Sequence, residues 1–221
     1  MVAGGHYHVI NRGNNRATVF ASHGDYAAFV RLMELAQQRI GLQILGACLM
    51  PNHFHIVASQ SQSDDISRWM HWLLTTSCRR HHDRNGSSGR LWQDRFKAFP
   101  IEQVEHLLTV MRYVERNALR AGLVRRAEDW PWGSLAWRQR STFEGLLATP
   151  PLRLSSDWTQ RVNAPQTPEE LAALRVCVNR QRPFGDDRWV NETAACRGLE
   201  STVRPRGRPR KPSPRGSTEP T

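Results

Sequence analysis

Residues 42–59 read LQILGACLMPNHFHIVAS: two apolar runs of strand length, 42–50 and 53–59, joined by the tight connector Pro51-Asn52. Two such runs with a short turn-forming link predict adjacent strands. Working outward, residues 6–12 (HYHVINR) predict an earlier strand, and 13–16 (GNNR) a turn. From Asp25 to Arg39 the residues Ala28, Phe29, Leu32, Leu35 and Ala36 recur at helical spacing, and Gly41 stops that helix. Downstream, Asp64 and Asp65 place negative charge at the start of a second helix that runs through Trp69, Trp72 and Leu73 to about His82. After a loop at 83–90, residues 94–101 predict a fourth strand. A third helix starts near Glu102 and carries Leu107, Leu108, Met111, Val114 and Leu119.

The order β-α-β-β-α-β followed by a helix predicts an α+β fold of the ferredoxin-like kind, an antiparallel sheet with helices on one face. Beyond Trp130, PWGSLAW predicts a short helix, and 141–167 reads as loop. Residues 168–182 and 186–199 read as two short amphipathic helices. From Ser201 onward Pro, Gly, Arg and Ser dominate, which predicts a basic tail that is disordered when free. The expected organisation is therefore a module at 1–140, a loop and short-helix extension at 141–200, and the tail at 201–221.

The chain has 221 residues and a formal net charge of +11. Residues 1–140 carry +7, residues 141–200 carry −1 and residues 201–221 carry +5. A basic front and tail suit an anionic polymer. All the positive side chains are Arg except Lys97 and Lys211, and Arg forks bidentately onto phosphate and guanine. No apolar run reaches the roughly 18–20 residues that cross a bilayer, so no membrane role is expected. No signal peptide is read at the N-terminus. The four Cys form no CxxC pair, which argues against a zinc knuckle or a disulfide framework and makes a reduced cytosol the expected setting.

His53 and His55 lie two apart on a strand and project to one face, while Phe54 packs the other way. Two convergent imidazoles are a partial metal site; two histidines on a half-buried sheet face are the other reading. His6 and His8 repeat the pattern on the first strand, next to the third in this topology, so His8 is either close to that site or a packed sheet histidine. Tyr113 lies on the third helix in RYVERNALRAGLV, with Asn117 one turn on and Arg116 and Arg120 close by. A phenol oxygen becomes a nucleophile once it loses its proton, and an amide oxygen can serve as a neutral metal ligand. An ordinary core Tyr beside a surface Asn is the alternative.

MPNHFHIV, LWQDRFKAF, YVERNALRAGLV and WPWGS, preceded by YHVINRGNNR, together resemble the REP-associated tyrosine transposases, relatives of the single-tyrosine HUH transposases. The resemblance covers roughly residues 6–140. It implies that His53 and His55 are metal ligands with Asn117 as the third, for Mg²⁺ or Mn²⁺. It implies that Tyr113 attacks a phosphorus of single-stranded DNA and forms a 5′-phosphotyrosine link. It also implies repetitive extragenic palindromes, folded as hairpins, as the DNA partner in a bacterial, nucleoid-associated setting. Relatives often have Pro where this chain has Ala118, and without it the helix is expected to run further.

Arg12, Asn14 and Arg16 offer groups for exposed bases. Arg79, Arg80, Arg95 and Lys97 form a basic cluster for a hairpin backbone. Arg112, Arg116 and Arg120 are candidates for neutralising phosphate near the tyrosine. In the tail, Pro205-Arg206-Gly207-Arg208-Pro209 looks like an AT-hook, with Arg206 and Arg208 placed for the minor groove of an A·T-rich duplex. A solubilising basic tail is the alternative. Three functions compete: a metal-dependent nickase and strand transferase, a DNA-binding regulator without chemistry, and a water-using hydrolase. The last is disfavoured because no carboxylate base accompanies the histidines in a recognisable motif. Either a monomer or a dimer is compatible with these residues.

Overall fold

The computed structural model describes residues 4–103, 105–143 and 145–204. Strands β1 (His6–Arg12), β2 (Gln43–Met50), β3 (His53–Ser59) and β4 (Lys97–Ile101) form one sheet in the order β2-β3-β1-β4, with every pair antiparallel. Helix α1 (His23–Arg39) lies between β1 and β2, and α2 (Asp65–Asn85) between β3 and β4. The βαββαβ order expected from the sequence is the order observed, and it makes β1 and β3 neighbours.

Local chemistry sets the boundaries. Ser22 accepts from the Asp25 N–H while the Asp25 carboxylate accepts from the Ser22 N–H, a reciprocal cap that starts α1. The Asp65 carboxylate accepts from the N–H groups of Ser61 and Gln62 and so ties the loop that precedes α2. Gly86, at φ +56°, ends α2 in the left-handed conformation that glycine adopts without a Cβ clash. β4 is shorter than expected, beginning at Lys97 rather than Asp94.

Period-two alternation divides the sheet between two cores. Val9, Phe54 and Ile56 point into one, against Val30 and Met33 of α1 and Trp69 and Met70 of α2. Ile10, Val57, Phe99 and Ile101 point into the other, against Leu107, Val110, Met111 and Val114 of α3 (Glu105–Glu115). Helices therefore cover both faces, not one. The second layer exists because α3 returns over the opposite face and brings its own apolar stripe. Its helix also ends sooner than expected. α3 stops at Glu115, a short turn α4 (Asn117–Arg120) follows, and Gly122 at φ +71° terminates the segment despite the absence of Pro at 118. The N–H of Leu123 then bonds the carbonyl of Ala118, the 6→1 closure that a left-handed residue allows.

The region after α4 wraps the second core. α5 (Ser134–Arg140) docks on β2, and α6 (Trp158–Asn163) packs Trp158 and Val162 against the α3 layer. α6 lies within the stretch read as loop, because six residues are too few for periodicity to register. α7 (Pro168–Arg180) and α8 (Asp187–Arg197) follow the two expected segments, and α9 (Glu200–Val203) closes the described chain. The tail was expected to begin at Ser201, but residues 201–203 are helical, because Arg180 of α7 holds the carbonyls of Ser201 and Arg204. Between α7 and α8, Phe184 exchanges backbone hydrogen bonds with Pro100 and Glu102, extending the sheet past β4 for one residue.

Glu115 is buried beneath this wrap. Its carboxylate accepts from the Ser134 hydroxyl at 2.6 Å, the Trp158 indole N–H at 2.8 Å and the Arg138 guanidinium. These partners come from α5 and α6, so one carboxylate joins three elements. Glu115→Ala is expected to cost about 3–5 kcal/mol, because it removes the counter-ion of the partly buried Arg138 and leaves the buried Ser134 hydroxyl and Trp158 indole N–H without an acceptor. Chemical denaturation measures this; a loss below about 1 kcal/mol contradicts the account.

Candidate metal and nucleophile site

The site lies on the α3 side of the sheet, at the beginning of β3. His53 stands opposite Arg12 of β1 and Met50 of β2; His55 stands opposite Ile10 and Cys48. The period of two brings both imidazoles to one face, with ring centroids 5.0 Å apart. His55 is fully enclosed and His53 is half-buried.

Burial keeps these rings neutral. The His53 pKa is pushed down to about 4 by desolvation, helped by the charges of Arg12 and Arg120. His55 is held well below its ordinary value by desolvation, then by its neighbours His8 and His53, Arg120 and Arg12. His53 also has a defined tautomer. The Asn52 amide donates from Nδ2 to the Arg16 carbonyl, so its Oδ1 faces His53 Nδ1 at 2.7 Å. A carbonyl oxygen only accepts, so the His53 proton sits on Nδ1 and Nε2 keeps a bare lone pair. The sequence marked Asn52 only as part of the tight connector with Pro51; its place directly before the histidine was the available signal for this contact.

Tyr113 projects from α3 toward the same group. Its ring centroid lies 5.9 Å from that of His55 and 6.1 Å from that of His8, edge-on to both. The Arg120 guanidinium sits 4.2 Å from the centre of the Tyr113 ring and donates to Asn117 Oδ1 at 2.9 Å. Arg120 thus links the tyrosine, the amide and, through its charge, both histidines. Asn117 is buried, and its Nδ2 has no partner among the described residues.

The donor set fits a divalent cation in part. Two neutral imidazoles are suitable ligands, and among the described residues no three His, Cys, Asp or Glu side chains are arranged to hold a metal ion. Asn117 would complete the set through the second lone pair of Oδ1, since the first accepts from Arg120. Arg120 opposes a cation and favours an anion, so a phosphate arriving with the metal would balance the charge.

The remaining expected residues divide. Arg12, Arg95 and Lys97 line one cleft with Asn11, Gln93 and Asn179, beside the histidine pair. Asn14 and Arg16 lie in an exposed turn just past β1. Arg79 and Arg80 sit on the exposed flank of α2, which packs on the other face of the sheet. Arg116 does not reach the site. Its guanidinium donates to the carbonyls of Val162 and Asn163, and Arg112 donates to those of Arg161, Ala164 and Pro165. Both arginines secure the extension, because α6 offers a row of unpaired C-terminal carbonyls that a guanidinium can cap. Arg206 and Arg208, with the AT-hook-like segment, lie outside the described residues. Among the described residues no helix is long and apolar enough to cross a membrane.

A family model for IS200-like transposases matches residues 1–117. The fold is similar to that of a REP-associated tyrosine transposase bound to a REP hairpin, with a TM-score of 0.54 and 18% identity, covering 70% of this chain and 91% of that one. A protein of Deinococcus radiodurans R1 assigned as a transposase matches with a TM-score of 0.38 and 19% identity, over 50% of this chain and 88% of that chain. No curated protein matches the chain.

Proposed function

The chain belongs to the IS200-like transposase family, and from that premise we propose that it is a single-tyrosine HUH strand transferase of the REP-associated kind. Its substrate would be a single-stranded palindromic hairpin. The observation that carries this reading is the placement of Tyr113 against the His53–His55 pair, with Arg120 touching both Tyr113 and Asn117.

His53, His55 and Asn117 would hold Mg²⁺ or Mn²⁺. When bound, that ion would supply Lewis acidity to the scissile phosphate, undiminished by ligand charge because all three protein ligands are neutral. The chain's own groups do the rest. Arg120 neutralises the phosphate beside the tyrosine. The Tyr113 oxygen forms a bond to phosphorus as the bond from phosphorus to the 3′ oxygen of the upstream nucleotide breaks. The phenol proton is lost and the departing 3′ oxygen gains one, leaving a 5′-phosphotyrosine and a free 3′-OH. Reversal with another 3′-OH rejoins strands without nucleotide hydrolysis. Arg12, Arg95 and Lys97 outnumber Asp94 in the cleft along which the strand would approach. Residues 1–140 would form the catalytic module, acting in the bacterial cytoplasm at the nucleoid.

Incubating the protein with labelled single-stranded palindromic oligonucleotides and Mn²⁺ or Mg²⁺ tests this reading. A covalent protein–DNA adduct on a denaturing gel is the expected result. Tight hairpin binding with no adduct in either metal would favour a non-catalytic DNA-binding regulator. The tail is read as a separate duplex contact. Deleting 205–221, which spares α9, is expected to weaken binding to A·T-rich duplex and to flatten its salt dependence, since cationic contacts to phosphate are lost. Adduct formation on a short single strand should persist; equal duplex binding with and without the tail contradicts the assignment.

A further inference from the structure

His8 is a fully buried side chain on β1 that the proposed chemistry leaves unused. Its Nε2 lies 2.9 Å from Nδ1 of His55, across 47 residues of sequence. The two rings are stacked at 5.0 Å, and the edge of the His8 ring meets Phe99. Its Nδ1 is enclosed and has no partner among the described residues.

Two neutral rings sharing this contact have two arrangements. In one, His8 Nε2–H donates to His55 Nδ1, and the proton of His55 sits on Nε2, where it blocks a cation. In the other, His55 Nδ1–H donates to His8 Nε2, and His55 Nε2 is bare. Only the second matches His53, whose Nδ1–H is held by Asn52 and whose Nε2 is free. It leaves the His8 Nδ1–H unpaired and buried, which is unfavourable because a desolvated donor has lost its water without a replacement. An apolar side chain at position 8 would avoid that cost, so the imidazole is doing something besides filling space.

We infer that His8 is a positioning residue, accepting from His55 Nδ1–H and so holding His55 in the tautomer whose Nε2 lone pair can bind a cation. This rests on the reading of His55 as a metal ligand. Metal-binding histidines ordinarily donate their second N–H to a carboxylate, a backbone carbonyl or water. Here the acceptor is a neutral imidazole, which orients the ligand without adding negative charge to the site. Asn52, in the turn between β2 and β3, does the same for His53 with an amide oxygen, so the two ligands have matched neutral supports, one from that turn and one from β1.

The test uses the full metal-free chain and three readouts. In the ¹⁵N spectrum of the ring nitrogens, His55 is expected as the Nδ1–H tautomer. Mn²⁺ titration followed by EPR should show about 10–100-fold weaker binding in His8→Phe. His8→Gln should restore most of the affinity, because its amide oxygen can accept where Nε2 did. Melting temperatures at pH 8 show whether each variant remains folded. His55 observed as Nε2–H in the wild type overturns the proposal. So does unchanged Mn²⁺ affinity in a folded His8→Phe, or failure of a folded His8→Gln to bind better than the Phe variant. If the wild type binds no Mn²⁺, the metal reading fails by itself, and the ring spectrum still decides what His8 does for His55.

Discussion

Tyr113→Phe is expected to abolish the covalent DNA adduct, with strand cleavage falling by at least about 10⁴-fold, while hairpin affinity stays near that of the wild type. The size of the effect follows from the role. The phenol oxygen forms the bond to phosphorus, and no neighbouring group can make the same product. The ring itself packs edge-on against His55 and His8 and under Arg120, and Phe keeps those contacts. The variant should therefore fold, bind Mn²⁺ and bind DNA. Denaturing gels with 5′- and 3′-labelled strands, alongside a binding isotherm, separate chemistry from recognition. An adduct that persists in Tyr113→Phe would place the nucleophile elsewhere.

Stability of the metal-free protein is expected to fall steeply as the pH drops from 6.5 toward 4, and to be nearly flat between 6.5 and 8. The ordinary His pKa is about 6.5 in an unfolded chain. In the fold, His53 titrates near 4, His8 near 3, and His55 well below its ordinary value, all chiefly through desolvation. Within that window the unfolded chain binds protons that the folded chain refuses, so protonation pulls the equilibrium toward unfolding. The stabilisation is fully present above pH 6.5 and is lost on the way down. At pH 5 the loss is about 2 kcal/mol for each of His53 and His8, and His55 adds to it in the same direction. That total is a large part of a typical domain stability of about 5–15 kcal/mol. Thermal denaturation from pH 4.5 to 8 checks it, and His8→Phe should flatten the slope. A melting temperature independent of pH between 4.5 and 6.5 would show that these rings are more hydrated than the fold implies.

Much of this was legible in the chain because it depends on local periodicity. The strands at 6–12 and 53–59 begin and end where β1 and β3 do, and helices α1 and α2 start and stop within a few residues of their expected bounds. That His53 and His55 share a face follows from the pleat alone. The four-residue spacing placed Tyr113 and Asn117 on one side of the chain, and the structure keeps both beside Arg120 although α3 breaks between them.

What required the tertiary structure has one physical cause: the identity of a partner far away in sequence depends on strand register and helix packing. Arg112, Arg116 and Arg120 are alike in sequence, spaced four apart. Only packing shows that the first two cap the carbonyls ending α6, while the third turns to Tyr113. Nothing in the sequence sets Glu115 apart, and its three partners lie 19 to 43 residues on. His8 was one of two readings until β1 paired with β3 in a register that sets its ring against His55. The amino-acid sequence by itself determined which residues could do chemistry and which face of the strand they occupy. The tertiary structure decided how those residues are oriented and which atom faces each ring nitrogen, because strand register and packing, not the local pattern, set the partner across from an imidazole.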